Sequence, residues 1–159
     1  MDELLQILKR DARTPLKDMA VMLGATEAEV QARIAGYKAS GVIRGYQALL
    51  NEDLINPDLV RAAIEVRMTP ERGGGYDRVA KRIGRFPEVE SLFLMSGGYD
   101  LLVFVKGDSL RTVAAFVNER LATIDGVLST ATHFTLKTYK DQGVLMKEED
   151  SDERLAVSP

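Results

Sequence analysis

The stretch from Thr14 to Gly41 reads TPLKDMAVMLGATEAEVQARIAGYKASG and decides the fold of the first part of this chain. Thr14 is a suitable N-cap, and Pro15 fits the first helical position, where the missing N–H costs nothing. Apolar residues then recur at helical spacing up to Gly24, a residue that readily takes the left-handed conformation found at helix ends. The pattern predicts a short helix followed by a tight turn.

A second helix is expected directly after that turn. Thr26 and Glu29 have the spacing of a capping box, in which each side chain bonds the backbone N–H of the other residue. The apolar stripe of this helix is formed by Val30, Ile34 and Tyr37. Two short helices joined in this way are typical of a helix-turn-helix, whose second helix can enter the major groove of DNA.

The composition limits the class of protein. The chain has 159 residues, 45% of them hydrophobic, which suits one or two small domains with real cores. It has no apolar run of the length, about 18 residues, that a membrane span requires. Charges occupy the N-terminal region where a signal peptide would be apolar. The chain has no cysteine, so disulfides and thiolate metal sites are excluded. We expect a cytoplasmic protein that does not associate with membranes.

Charge is distributed unevenly along the chain. Residues 1–50 hold seven Lys/Arg and six Asp/Glu, residues 51–140 hold twelve of each, and residues 141–159 hold two Lys/Arg and six Asp/Glu. The overall net charge is −3, and the negative excess resides in the C-terminal tail, which has two basic and six acidic residues. The N-terminal region is close to neutral, so we expect its electrostatic affinity for DNA to be modest.

The chain divides into four segments. Residues 1–50 are predicted to form a three-helix, winged-helix-like domain, whose first helix is capped by Asp2. Residues 51–59 are polar, contain Pro57 and are interpreted as a linker. Residues 60–140 are predicted to form an α+β domain, and residues 141–159 an acidic tail.

Six elements are expected in the α+β domain. In chain order they are a strand at 60–68, a helix around 76–83, strands at 89–95 and 99–105, a helix after Asp108, and a strand at 127–139. A loop is expected at 71–75 and a tight bend at 96–98. The order β-α-β-β-α-β predicts a ferredoxin-like fold.

Two details of this domain are specific expectations. The continuous apolar run from Leu101 to Val105 suggests a strand that is buried on both faces. The second helix should bury a stripe formed by Leu110, Val113, Ala114, Val117 and Leu121. A sheet of this kind has helices on one face only, so the other face needs a cover. The chain has no spare helices, and we therefore expect at least a homodimer with sheets packed face to face.

Three short sequences carry a resemblance to a known family. They are Gly41-Val42-Ile43-Arg44-Gly45-Tyr46, Ser96-Gly97-Gly98-Tyr99-Asp100-Leu101-Leu102, and Gly126-Val127-Leu128-Ser129-Thr130-Ala131-Thr132-His133. In this order and spacing, over residues 2–140, they resemble the Lrp/AsnC family of transcriptional regulators. The resemblance implies a helix-turn-helix domain and a ferredoxin-like ligand-binding domain, called RAM, that dimerises and assembles further, up to octamers.

The resemblance also implies an amino acid or related metabolite bound between subunits. The positions that it assigns to this effector are Gly97, Gly98, Tyr99, Asp100, Ser129, Thr130 and Thr132. Chemistry agrees in part, because glycines expose backbone N–H groups to a carboxylate and Asp100 can meet an ammonium group. The alternative is that Gly97 and Gly98 simply turn the chain between two strands.

Candidate DNA contacts come from the helix-turn-helix region. They are Thr26, Gln31, Arg33 and Lys38, with Lys17 and Arg44 as phosphate contacts; Gln31 and Arg33 have side chains that pair with base edges. The helix differs from many relatives because Ala32, Ala35 and Gly36 stand where basic residues are frequent, and because Glu27 and Glu29 add negative charge. Each candidate also has a simpler interpretation as a solvated surface side chain.

No set of residues indicates catalysis. His133 is the only histidine, and the Gly73-Gly74-Gly75 run lacks the Lys and Ser/Thr of a P-loop. We expect no cofactor and no metal, although sirohaem decarboxylases of the same architecture leave an enzyme as an alternative. The main hypothesis is a DNA-binding regulator that responds to a small ligand. A ligand-sensing oligomeric module with weak or lost DNA binding is the second.

Overall fold

The computed structural model describes residues 1–69 and 75–146. The chain divides into two compact units, one spanning Met1–Leu49 and one beginning at Leu50. The buried apolar side chains form two separate clusters, one in each unit. Each unit therefore has a hydrophobic core of its own.

The first unit contains three helices, α1 (Glu3–Arg10), α2 (Leu16–Leu23) and α3 (Glu27–Ala39). The carboxylate of Asp2 caps α1 by accepting a hydrogen bond of 2.9 Å from the backbone N–H of Leu4. Helical spacing places one apolar face of each helix toward the centre. The buried core consists of Leu4, Leu8, Met19, Ala20 and Val30, with Ile34 and Tyr37 packed against it.

The helix-turn-helix caps are largely as predicted. Thr26 Oγ1 accepts from the N–H of Glu29, and Glu29 Oε2 accepts from the N–H of Thr26, which completes the capping box. Gly24 ends α2 with a φ of 60°, and Gly41 follows α3 with a φ of 76°, both in the left-handed region that favours glycine. Residues 43–50 then continue without helix or strand.

The predicted start of α2 is wrong by one residue. The N-cap is Pro15, whose carbonyl accepts from the N–H groups of Asp18 and Met19, both at 3.0 Å. Thr14 lies one residue before this cap, and its hydroxyl donates to the carbonyl of Asp11 at 2.9 Å. The Thr14 side chain, which was predicted to cap α2, therefore makes its hydrogen bond within the turn before the helix.

The second unit begins with a single helical turn, α4 (Glu52–Ile55), inside the segment predicted as a linker. The following elements are β1 (Val60–Met68), α5 (Gly75–Ile83), β2 (Val89–Leu94), β3 (Leu101–Gly107), α6 (Leu110–Ala115) with a π-helical continuation (Phe116–Leu121), and β4 (Val127–Phe134). This order confirms the predicted β-α-β-β-α-β arrangement. A small hairpin of β5 (Lys140–Asp141) and β6 (Val144–Leu145) comes last among the described elements.

The four main strands form an antiparallel sheet in the order β2-β3-β1-β4. Ile64 in the central strand β1 lies opposite Val103 of β3 and Thr132 of β4. Side chains at these positions point to the same side of the sheet, where the helices cover Ile64, Val66 and Val103. The residues between them point to the other side, which no described helix covers.

Three expectations for this unit need correction. The second helix is capped by Ser109, which accepts from the N–H of Thr112 at 3.1 Å, and not by Asp108. Leu110 and Ala114 are exposed, whereas Phe116 is buried. The buried side of the helix is formed by Val113, Phe116 and Val117, which lie three and four residues apart, whereas Leu110 is the exposed first residue of α6.

Strand boundaries and burial also differ from expectation. β3 starts at Leu101 instead of Tyr99, and β4 ends at Phe134 instead of Tyr139. β3 is buried on one face only, because Phe104 remains 37% exposed on the other. Of the loop predicted at 71–75, only Gly75 is described, as the first residue of α5, and most of the predicted tail, 147–159, also lies outside the described residues. No helix in the described parts is long and apolar enough to span a bilayer.

Candidate functional site

The outward face of α3 is built from small side chains. Residues three and four apart share a face of a helix, so the buried stripe of Val30, Ile34 and Tyr37 fixes which residues point away from the core. Successive residues turn by about 100°, and the positions opposite that stripe are therefore Ala28, Ala32, Ala35, Gly36 and Ala39, all of them exposed. The centre of this face has no side chain that can donate or accept a hydrogen bond.

Arg33 lies at the edge of the buried stripe and is held within the first unit. Its Nη2 donates to Oδ2 of Asp2 at 2.7 Å, so the N-cap of α1 is joined to α3. Burial opposes ionisation of Asp2, but hydrogen bonds from Tyr37, Arg33 and the Leu4 N–H outweigh it and lower the pKa of that carboxyl. The hydrogen bond to Asp2 raises the pKa of Arg33. Arg33 is thus partly engaged by the protein itself.

Thr26 and the nearby carboxylate of Glu29 are occupied by the capping box. Besides the two backbone bonds, the Thr26 hydroxyl and Oε2 of Glu29 are 2.8 Å apart. Hydrogen bonds from the backbone and then the side chain of Thr26 lower the pKa of Glu29. The negative charge of Glu29 is therefore satisfied at the start of α3, where it also favours the helix dipole.

The other predicted DNA contacts are exposed. Gln31 and Lys38 lie seven residues apart on the same flank of α3, and Lys17 is on α2. Lys38 Nζ is 5.1 Å from the centre of the Tyr46 ring, a cation–π distance. Arg44 follows α3 in the segment 43–50, which is neither helix nor strand. These four side chains are available to an anionic partner without breaking an ion pair.

The predicted effector loop is organised by Asp100. Residues 96–98 bend between β2 and β3, and the carbonyl of Asp100 accepts from the N–H of Met95 at 2.8 Å. Oδ2 of Asp100 accepts from the N–H of Met68 at 2.7 Å, and Oδ1 accepts from the hydroxyl of Tyr76 at 3.2 Å. The carboxylate therefore connects the loop to the end of β1 and to α5.

Asp100 also influences the phenol of Tyr76. The negative charge of Asp100 raises the pKa of Tyr76, with burial and the hydrogen bond acting in the same direction. Beyond the loop, Gly97 and Gly98 face open space, because a Cβ added at either would meet no atom within 4 Å. Tyr99 is half-buried. The loop is thus anchored at Asp100 and accessible at its two glycines.

The three predicted effector residues of β4 do not share one face. Thr130 and Thr132 lie opposite Val66 and Ile64 on the helix side of the sheet, whereas Ser129 lies opposite Arg67 on the open side. Because side chains alternate along a strand, no single pocket on one face contains all three. The sequence shows that these three residues are polar. Which face of the sheet each one points to follows from the pairing of β4 with β1.

The open face of the sheet carries an apolar patch whose residues were not predicted from the sequence. The rings of Phe93 and Phe104 meet edge to face, with centroids 6.2 Å apart. Their neighbours on this face include Leu102, Ala63 and Ala131. The single histidine, His133, is here too, with Nε2 at 3.3 Å from Oε1 of Glu65. A strand-by-strand alternation count would have predicted this patch.

A metal-dependent site finds no support in the described parts of the chain. Within residues 1–69 and 75–146, no group of three His, Asp or Glu side chains is arranged to hold a metal ion. His133 has a carboxylate neighbour, Glu65, but no second imidazole or further acid completes a ligand set.

Two regions of the sequence match known protein domain families. Residues 3–37 match the AsnC-type helix-turn-helix domain, and residues 61–145 match the Lrp/AsnC ligand binding domain. The first match covers α1, α2 and most of α3, and the second covers nearly all of the sheet and its helices. Both matches agree with the resemblance carried by the three short sequences.

Individual proteins support the same grouping. YugG of Bacillus subtilis (strain 168), an uncharacterized HTH-type transcriptional regulator, is 44% identical over 99% of this chain and 95% of its own length. The structure of NMB0573 from Neisseria meningitidis, a transcriptional regulator in complex with L-Met, has 25% identity and a TM-score of 0.70 over 89% of this chain and 93% of its own.

The fold is shared more widely. The leucine response regulatory protein LrpA of Mycobacterium tuberculosis has a TM-score of 0.77 at 23% identity, covering 92% of this chain and all of its own. The relatives are named as regulators, which confirms the prediction of a DNA-binding regulator and not an enzyme. The chain belongs to the Lrp/AsnC family of transcriptional regulators.

Proposed function

We propose that this regulator binds double-stranded DNA through α3 and adjusts that binding when an amino acid occupies the loop between β2 and β3. The observation that carries the proposal is the pairing, in one chain, of a helix-turn-helix whose α3 has a complete capping box with a ligand-binding domain. Since the partner is chromosomal DNA, the protein acts in the cytoplasm.

The DNA interface uses the flanks of α3 for polar contacts. Gln31 is the candidate for hydrogen bonds to a base edge, and Lys17, Lys38 and Arg44 are candidates for phosphates. Arg33 keeps α3 against α1 through Nη2, and the remaining N–H groups of its guanidinium are suited to a phosphate. Thr26 acts through its cap, which orients the start of α3.

The outward face of α3, which we call the alanine face, permits close approach of the helix to the groove. Small side chains let the helix backbone come near the base edges, and their methyl groups suit the methyl groups of thymine. The few polar contacts on the flanks and an apolar centre favour modest affinity for one copy. Two or more linked copies gain affinity by effective concentration without any new contact.

A second copy of the chain is the proposed cover of the open sheet face. Phe93, Phe104 and Leu102 leave apolar surface on a face that no described helix covers. Burial of such surface stabilises by about 25 cal/mol per Å². A two-fold axis would bring the same patch of both copies together, and dimers would assemble further, up to octamers.

The effector is proposed to be an amino acid. NMB0573 is a transcriptional regulator crystallised with L-Met, which supports this chemical class for the related domain here. The backbone at Gly97 and Gly98 suits the carboxylate, and Asp100 suits the ammonium, since each carboxylate oxygen accepts more than one hydrogen bond. Tyr99 is expected to line the same site. Ser129 would reach it from the open side of the sheet and Thr130 and Thr132 from the helix side, so the two sides would require different subunits.

The surface and charge of the first unit also support a second function. The outward face of α3 has no cation, and residues 1–50 have a net charge of only +1, with seven Lys/Arg and six Asp/Glu. These observations favour a ligand-sensing oligomer with weak DNA binding as the alternative.

Retardation of genomic DNA fragments over a series of salt concentrations separates the two functions. A regulator should retain selected fragments at moderate salt and should respond when pooled amino acids are added. Absence of any DNA binding at low ionic strength, together with a thermal shift by an amino acid, would favour the sensing module.

A further inference from the structure

Helix α5 has an apolar face and a strongly basic face. The apolar face packs into the core through Val79 and Ile83. The basic face consists of cations at positions i, i+3, i+4 and i+7, all exposed: Arg78, Lys81, Arg82 and, in the turn that closes the helix, Arg85. Spacing of this kind places the four side chains on one side, so we call them the α5 basic face.

The basic face is only partly neutralised by its surroundings. Lys81, Arg82 and Arg85 make no ion pair with a residue among 1–69 and 75–146. Asp125 is beside Arg78 and Arg82 in a shallow depression of about 170 Å³, and Asp77 is the only carboxylate on the helix itself. Lys81, Arg82 and Arg85 against these two acids leave a local excess of positive charge among the described residues, in a chain whose net charge is −3.

We propose that the α5 basic face binds phosphate groups of duplex DNA that extends beyond the segment bound by α3. The inference rests on the proposed DNA-binding function and adds a second contact, on the ligand-binding domain. The first unit is close to neutral. The proposal therefore assigns part of the electrostatic affinity for DNA to the second unit.

Dimensions and chemistry favour DNA as the occupant. Seven residues of helix span about 10 Å, and one DNA strand presents a phosphate about every 3.4 Å of helix axis, so the face matches roughly three phosphates. Three of the four cations are arginines, whose planar group pairs with phosphate oxygens. The competing occupant is the acidic segment 141–159 of the same chain, with two basic and six acidic residues.

The experiment compares two full-length double variants that each remove two exposed cations. Lys81→Ala with Arg82→Ala alters the α5 basic face, and Arg111→Ala with Lys140→Ala is the matched control elsewhere on the same unit. Affinity is measured against salt for a long operator fragment and for a short duplex that covers one α3 site. Sedimentation and thermal melting verify that assembly and folding are unchanged.

The proposal expects a selective effect on long DNA. The slope of log K against log salt should fall in magnitude by up to about 1.8 per protomer in contact for the α5 variant, and the control and the short duplex should show no change. Equal slopes for both double variants on long DNA would overturn the proposal. Failure of the unaltered protein to bind even the short duplex would instead overturn the proposed function.

Deletion of residues 147–159 tests the competing occupant. If DNA occupies the α5 basic face, removal of the acidic segment should improve binding of long DNA equally with and without the α5 substitutions. An improvement that disappears when Lys81 and Arg82 are replaced, with no change of salt slope in the full chain, would assign the face to the segment and overturn the proposal.

Discussion

Nη2 of Arg33 in α3 donates to Oδ2 of Asp2 at 2.7 Å, so a residue in the predicted recognition helix also fixes the N-cap of α1. Because the pKa of Asp2 is lowered from its usual 3.8, this carboxylate contributes stability above pH 3.8, and the contribution is lost as the pH falls through the lower, folded pKa. The Asp2–Arg33 pair therefore makes the stability of the first unit depend on pH in the acidic range.

We predict that Asp2→Asn lowers the melting temperature at pH 7 and that the difference from the unaltered protein shrinks below pH 3.8. The amide keeps a weaker cap but loses the charge that attracts Arg33. Thermal melts between pH 2 and pH 7 measure this, with Asp18→Asn, an exposed acid in the first turn of α2, as the control. A difference that stays constant across the whole range would contradict the assignment.

Loss of the capping box should weaken the first unit specifically. Thr26→Ala removes the acceptor for the N–H of Glu29, and a cap of this kind is worth about 1 kcal/mol. Thr26→Ser keeps the hydroxyl and should restore most of the stability. Chemical denaturation of both variants gives the comparison; equal stability of the alanine and serine variants would show that the cap is not used in solution.

Tyr76 and Asp100 allow loop positioning to be separated from effector binding. Asp100→Asn keeps an acceptor but removes the charge proposed for the ammonium group, and affinity for the amino acid should fall by about tenfold or more, the effect of about 1.4 kcal/mol. Tyr76→Phe removes only the 3.2 Å hydrogen bond and should change affinity much less. Calorimetric titration measures both. Equal losses would mean that Asp100 acts by positioning the loop.

Elements of the fold were predictable where a local pattern is complete. β1 occupies Val60–Met68 as expected, because apolar and polar residues alternate clearly from Ile64 to Met68. The capping box of Thr26 and Glu29 was also evident, since both partners lie within one turn. The burial of Phe116 was not predicted, because the apolar stripe was placed through Leu110 and Ala114, and the spacing of apolar residues alone does not show which side of the helix faces the sheet.

Site geometry was less predictable, because it depends on distant partners. Asp2 and Arg33 are 31 positions apart, and Tyr76 and Asp100 are 24 apart. Nothing in the separate segments indicates that these pairs meet. Alternation along β4 predicts that Ser129 and Thr130 point to opposite faces, but only the pairing with β1 shows that Thr130 is on the helix side and Ser129 on the open side.

The open sheet face provides a test of assembly. Phe104→Glu places a charge among Phe93, Leu102 and their neighbours and should convert the protein to monomers at micromolar concentration. Leu110→Glu is a matched control, because Leu110 is an exposed leucine on the helix layer. Sedimentation velocity distinguishes the species, and circular dichroism verifies folding. A folded Phe104→Glu variant that remains oligomeric would place the interface elsewhere.

The alanine face of α3 leads to a prediction about the DNA itself. If Ala28, Ala32 and Ala35 contact thymine methyl groups, replacement of thymine by deoxyuridine within the bound site should weaken binding without altering any base-pair hydrogen bond. One buried methyl group is worth about 0.8 kcal/mol, or roughly fourfold in affinity. Uracil outside the protected segment is the control duplex. Unchanged affinity for uracil at every protected position would leave Gln31 and the phosphate contacts as the whole of the recognition, and would mean that the small side chains serve only to let the helix approach.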